Sequence, residues 1–135
     1  MLIEWTSDMS VGIGEIDVQH RKMIRKINEI AEAVEQQKSK EEIIEAVKYF
    51  EVYSEEHFTS EEAYMTRYNY PEYPDHKKIH ETIMADMARV REHFNSGKLT
   101  PQDVFNEAKR AGEWFVEHMK HVDSRLAAFL RGKIR

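Results

Sequence analysis

Five of the chain's seven histidines, His20, His57, His76, His80 and His118, fall on the apolar faces of segments patterned as helices. An imidazole buried without a partner costs about 1–3 kcal/mol, so five of them on core-facing stripes need a common purpose. Metal coordination supplies one, because a cation accepts several imidazole lone pairs at once. His76 and His80 lie one helical turn apart, about 6 Å along the axis, and can chelate one ion from one face. Five histidines exceed what one tetrahedral zinc uses, and the zinc-protease pattern H-E-x-x-H is absent from the sequence. Two metals are therefore indicated. The chain has no cysteine, so nitrogen and oxygen must hold them. Imidazole with carboxylate suits first-row ions such as iron, and on softness alone also zinc, copper or manganese.

A carboxylate shared by both ions would hold them about 3.5–4 Å apart and lower their repulsion. Glu61, one turn after His57, is the candidate for that bridge. A second bridge is ambiguous. On an ideal helix His121, three residues after His118, shares its face, whereas Asp123, five residues after, turns away unless the helix ends, tightens or bulges between them.

The elements that must position these side chains follow from period and punctuation. Apolar or histidine residues recur at 20, 24, 27, 31 and 34, the spacing of a helix facing a bundle core. Ser39 with Glu42 resembles a capping box, after which the stripe runs through Ile43, Val47, Phe50, Ser54, His57, Glu61 and Tyr64. Pro71 and Pro74 mark a connection, with Asp75 placed to cap a third helix carrying His76, His80, Ile83, Met87, Val90 and Phe94. Asn95-Ser96-Gly97 ends it, and Thr100-Pro101 opens a fourth, with a core stripe at Val104, Ala108, Ala111, Phe115, His118 and Val122 and Gly112 a mild interior weakness. The pattern predicts an all-α, antiparallel up-down-up-down four-helix bundle in one domain over 1–135. An irregular N-terminal arm spans 1–16, the helices about 17–37, 40–66, 75–95 and 101–121, and a short C-terminal helical segment about 123–131.

Bulk properties narrow the function classes. A hydrophobic content of 41% over 135 residues supports one compact core. The net charge of −5 comes with interleaved signs, so no face is built for nucleic acid. The basic residues from Arg131 to Arg135 read as a solvated terminus. No apolar run suits membrane insertion and no secretory signal opens the chain, so a cytoplasmic location is expected.

Motifs along nearly the whole chain resemble those of hemerythrins, specifically the single-domain bacteriohemerythrins. They run from Trp5 and Gly12-Ile13 through Ile16-Asp17-Val18-Gln19-His20 to His57-Phe58-Thr59-Ser60-Glu61-Glu62. Tyr73-Pro74-Asp75-His76-Lys77-Lys78-Ile79-His80, Trp114-Phe115-Val116-Glu117-His118 and Asp123 complete them. The resemblance implies two iron ions with a bridging oxo or hydroxo group: His76, His80 and His118 on one, His20 and His57 on the other, and Glu61 and Asp123 bridging. It thereby favours Asp123 over His121. It implies reversible dioxygen binding at the iron with two histidines, for storage, delivery or scavenging, and not an enzyme. Met23, Ile24, Ile27, Phe50, Trp114 and Phe115, with Met87, are expected to line the oxygen pocket and are first of all core residues. Phe115 and Met23 stand where the family usually has leucine. His93 matches no ligand position. A diiron redox enzyme turning over peroxide, oxygen or nitric oxide, and a sensor module needing a protein partner, are the competing readings.

Overall fold

In the computed structural model, which describes residues 2–133, every regular element is helical. Helix α1 spans Gly14–Glu35, α2 Lys40–Arg67, α3 Tyr73–Asn95 and α4 Pro101–His118. A π-helical turn, Met119–Asp123, joins α4 to α5, Ser124–Arg131. Consecutive helices pack against each other and α1 closes the ring against α4, which the short connections make an antiparallel four-helix bundle.

The first three helices stop in the same way. Gln37, Asn69 and Gly97 adopt left-handed φ of 55°, 54° and 83° just past the helix ends. Each end carries paired return bonds, such as Lys38 N to Ala33 O and Gln37 N to Val34 O, that satisfy otherwise orphaned carbonyls. At the starts, Ser39 accepts the Glu42 amide, and Thr100 with Asp103 forms a reciprocal capping box around Pro101. Asp75 does not cap α3. That helix begins two residues earlier, at Tyr73, because Pro74 has no N–H to leave unpaired and fits the first turn, where Asp75 also lies.

The arm preceding α1 is irregular apart from a 3-10 turn at Ser7–Met9, and it is tied down. Asn28 accepts the amides of Leu2 and Ile3 and donates to Ile3 O at 2.7 Å. Asp17 accepts the Val11 amide, and the Arg131 guanidinium donates to Val11 O. Gly112 is more than a weakness in α4: a Cβ there would come within 2.5 Å of the Ile3 side chain, so its absence seats the arm. Of the basic terminus, Ile134 and Arg135 lie outside the described residues.

The core divides into two clusters. One, around Met23, Ile24, Ile27, Phe50, Met87 and Phe115, fills the bundle on one side of the histidines. The other, with Ile16, Met65, Tyr70, Leu126, Ala127 and Leu130, places α5 as a lid on the opposite end. The histidine layer between them is thus sealed along the bundle axis by apolar packing. No helix among the described residues is long and apolar enough to cross a membrane.

Candidate metal centre

Each of the four long helices turns at least one histidine inward: His20 from α1, His57 from α2, His76 and His80 from α3, and His118 from α4. All five are at most 4% exposed, and Glu61 and Asp123 are buried with them. His57 and Glu61 share a face at i and i+4, as do His76 and His80, so regular helix geometry suffices to aim these four.

Asp123 requires a departure from it. The π turn closes hydrogen bonds from i to i+5, so the residue five beyond His118 comes to lie over it. Asp123 thereby faces inward, 3.0 Å from His118 Nε2. His121 is carried outward, its side chain 71% exposed and 3.1 Å from Glu117. Val122 also leaves the core stripe, while Leu126, Ala127 and Leu130 rejoin it. The preference of the ideal helix for His121 is overturned by this inserted residue.

The two carboxylates divide their oxygens. Glu61 Oε1 lies 3.6 Å from His76 Nε2 and 3.2 Å from His80 Nε2, and Asp123 Oδ1 lies 3.2 Å from His76 Nε2. Their other oxygens face the remaining histidines, Glu61 Oε2 at 3.4 Å from His57 Nε2 and Asp123 Oδ2 at 3.0 Å from His20 Nε2. Two compact groups result: Glu61, His76, His80, His118 and Asp123, and His20, His57, Glu61 and Asp123.

Although close, these atoms are not aligned as hydrogen bonds. The five Nε2 atoms and all four carboxylate oxygens are buried without a hydrogen-bond partner among the described residues. Unpaired buried acceptors on this scale would be prohibitive unless something positive lay between them. The donor set fits divalent or trivalent first-row cations.

Without a metal, protons must do that work. Burial opposes ionisation of Glu61, yet His57, His76 and His80 hold its carboxyl well below the usual carboxylate range. Asp123 is likewise lowered, against burial and against the charge of Glu61, by His118 and His20. Burial also opposes charging of His76, but the close Asp123 and Glu61 carboxylates outweigh it and raise the imidazole to about 9. His57 is raised too, burial being outweighed by Glu61.

Aromatic rings brace the imidazoles. Phe115 meets His20 edge-on with centroids 5.5 Å apart, and Met23, Ile24, Ile27, Phe50 and Met87 are buried in the same cluster. Trp114 is placed differently from its expected role at the two-histidine end. One turn before His118, it stacks on that ring at 4.7 Å and is partly exposed. With Ile83 and Met87 of α3 and Phe50 of α2 it lines a largely apolar surface pocket of about 210 Å³, with Asp86, Arg89, Glu107 and Arg110 also in its wall. Phe58, stacked on His80 at 3.9 Å, was not singled out by spacing, since a residue adjacent to a ligand position has no periodicity of its own. Ser54, one turn before His57, is fully buried and its hydroxyl has no partner among the described residues. Ser54→Ala should therefore raise stability by about 1 kcal/mol in denaturant titration. A loss of stability would show that the hydroxyl is paired.

A helical bundle that gathers seven buried donor groups at its centre defines a cation-binding domain. The chain belongs to the hemerythrin family: the model described as the hemerythrin HHE cation binding domain matches residues 11–130. It is similar to a bacteriohemerythrin of Stenotrophomonas maltophilia (strain R551-3), with 30% identity over 129 residues, 93% of this chain and 80% of the relative. A bacteriohemerythrin of Pseudomonas aeruginosa (strain LESB58) is 31% identical over 121 residues, 89% of this chain and 76% of its own. The fold matches a solved wild-type hemerythrin with a TM-score of 0.85 at 24% identity, over 95% of this chain and 97% of that one.

Proposed function

We propose that this chain binds two iron ions joined by an oxo or hydroxo bridge and takes up dioxygen reversibly, as a binding protein and not an enzyme. The observation that carries this reading is the division of oxygens, one from each of Glu61 and Asp123 toward three histidines and one from each toward two. In it, His76, His80 and His118 would hold one ion, His20 and His57 the other, and Glu61 and Asp123 would serve both. A ferrous pair held there would supply the two electrons that reduce dioxygen.

The protein's own part is exclusion and charge. Two bridging carboxylates offset two of the positive charges that a diiron pair brings into a buried site. Met23, Ile24, Ile27, Phe50 and Phe115 carry no acidic proton and keep water from the His20 and His57 end. Phe115 places more bulk against His20 than leucine would, and on this reading it sets the rate of oxygen entry.

Protein loaded with ferrous iron under anaerobic conditions should gain a visible absorption band on exposure to oxygen and lose it under vacuum. A protein that stays colourless would defeat the oxygen-binding reading. Sustained consumption of oxygen or peroxide with a reductant would replace it with an enzymatic one.

A further inference from the structure

A histidine that gives one ring nitrogen to a cation carries its proton on the other, and that proton seeks an acceptor. Two of the inward histidines have one in reach. His57 Nδ1 lies 2.6 Å from Gln19 Oε1. The Gln19 amide is itself oriented, because its Nε2 donates to Ser60 Oγ at 3.3 Å. With the amide nitrogen engaged, its oxygen faces the ring, so His57 Nδ1 is the donor and Nε2 is the nitrogen left to face Glu61. On His80, Nδ1 lies 3.3 Å from Glu62 Oε2 while Nε2 faces Glu61 Oε1 at 3.2 Å.

Both acceptors are chain neighbours of inward residues, and each reaches across to the next helix. Gln19, beside His20 on α1, supports His57 on α2; Glu62, beside Glu61 on α2, supports His80 on α3. They differ in charge. A carboxylate behind an imidazole makes its other nitrogen a stronger donor than a neutral amide does. The two groups of ligands are thus supported unequally, with the formal charge behind the larger one.

We propose that Gln19 and Glu62 are positioning residues that fix the tautomers of His57 and His80 and set the two metal positions apart in affinity. Glu62 strengthens the position built on His76, His80 and His118, and Gln19 orients the position built on His20 and His57 without adding charge. This rests on the two-metal reading above.

The test is a zinc titration of the metal-free protein, followed by the ring-nitrogen resonances of each histidine, which report where the ion binds and which tautomer is present. Gln19→Leu should weaken zinc binding at His20 and His57 by roughly 10- to 100-fold and leave the other position unchanged; Glu62→Leu should do the reverse. Glu62→Gln, which keeps an acceptor without charge, should retain the His80 tautomer and fall between wild type and Glu62→Leu. Leucine variants that leave both positions unchanged, or weaken both equally, overturn the proposal. A Glu62→Gln variant equal to wild type overturns its charge component. Should a leucine prevent folding, Gln19→Ala and Glu62→Ala carry the same expectations. Failure of the wild-type protein to take up two zinc ions is a different result, because it overturns the two-metal reading itself.

Discussion

His118→Ala and Asp123→Ala are each expected to lose bound iron, whereas His93→Ala and His121→Ala keep it. His118 Nε2 and Asp123 Oδ1, 3.0 Å apart, belong to the larger group, and Asp123 belongs to both. Truncating either leaves its neighbours buried and unpaired as well as deleting a donor, so the cost exceeds that of losing an outer partner. The expected weakening is more than about 100-fold, the upper range for such outer partners. Asp123→Ala should be the more severe, since on the proposed two-metal reading both ions would lose a ligand. His121 is exposed beside Glu117, and His93 lies outside both groups, so neither substitution should matter. Iron per chain, measured by elemental analysis after anaerobic loading, checks this. Equal iron in all four variants would sink the ligand assignment.

Removing the metal should lower the melting temperature by on the order of 10–20 °C when free metal had stood about a thousandfold above its dissociation constant. The size of that gap should depend on pH with a definite sign. In the metal-free protein His76 is raised from 6.5 to about 9, so the folded state holds a proton that the unfolded chain releases earlier. The resulting stabilisation is complete below about 6.5 and is lost as pH rises through about 9. Glu61 and Asp123, lowered in the folded state, contribute stability above their unfolded values of 4.5 and 3.8 and lose it as pH falls further. Metal-free protein should therefore be most stable between these limits and weaken toward pH 9. Metal binding needs the imidazoles neutral, so its contribution grows over the same interval. Melting curves of loaded and metal-free protein should diverge from pH 6.5 to 9. Parallel curves would mean that the cations and the protons do not compete for this cluster.

The inward stripes were legible because four-three spacing survives in regular helix: His20, His57, Glu61, His76, His80 and His118 all lie where periodicity puts them. Periodicity failed at Asp123, where one extra residue in the turn shifts every later position. The sequence does carry that shift. After His118 the apolar residues Leu126, Ala127 and Leu130 sit one place later than an uninterrupted α-helix would bring them round. A stripe that slips phase by one residue is the mark of an inserted π turn, here directly after the inward His118. The likeness to hemerythrin motifs reached Asp123 without that argument. Trp114 was harder, because an aromatic one turn from a histidine can shield either side of the site. Only packing places it on His118. Gln19 and Glu62 acquire meaning through contacts 38 and 18 residues away, which no local spacing encodes.

Anomalous diffraction at the iron edge from crystals of the loaded protein tests the central claim most directly. The account predicts two peaks, with Glu61 and Asp123 spanning them, one peak bounded by His76, His80 and His118 and the other by His20 and His57. A single peak, or two peaks that leave any of these imidazoles without a metal, would contradict it.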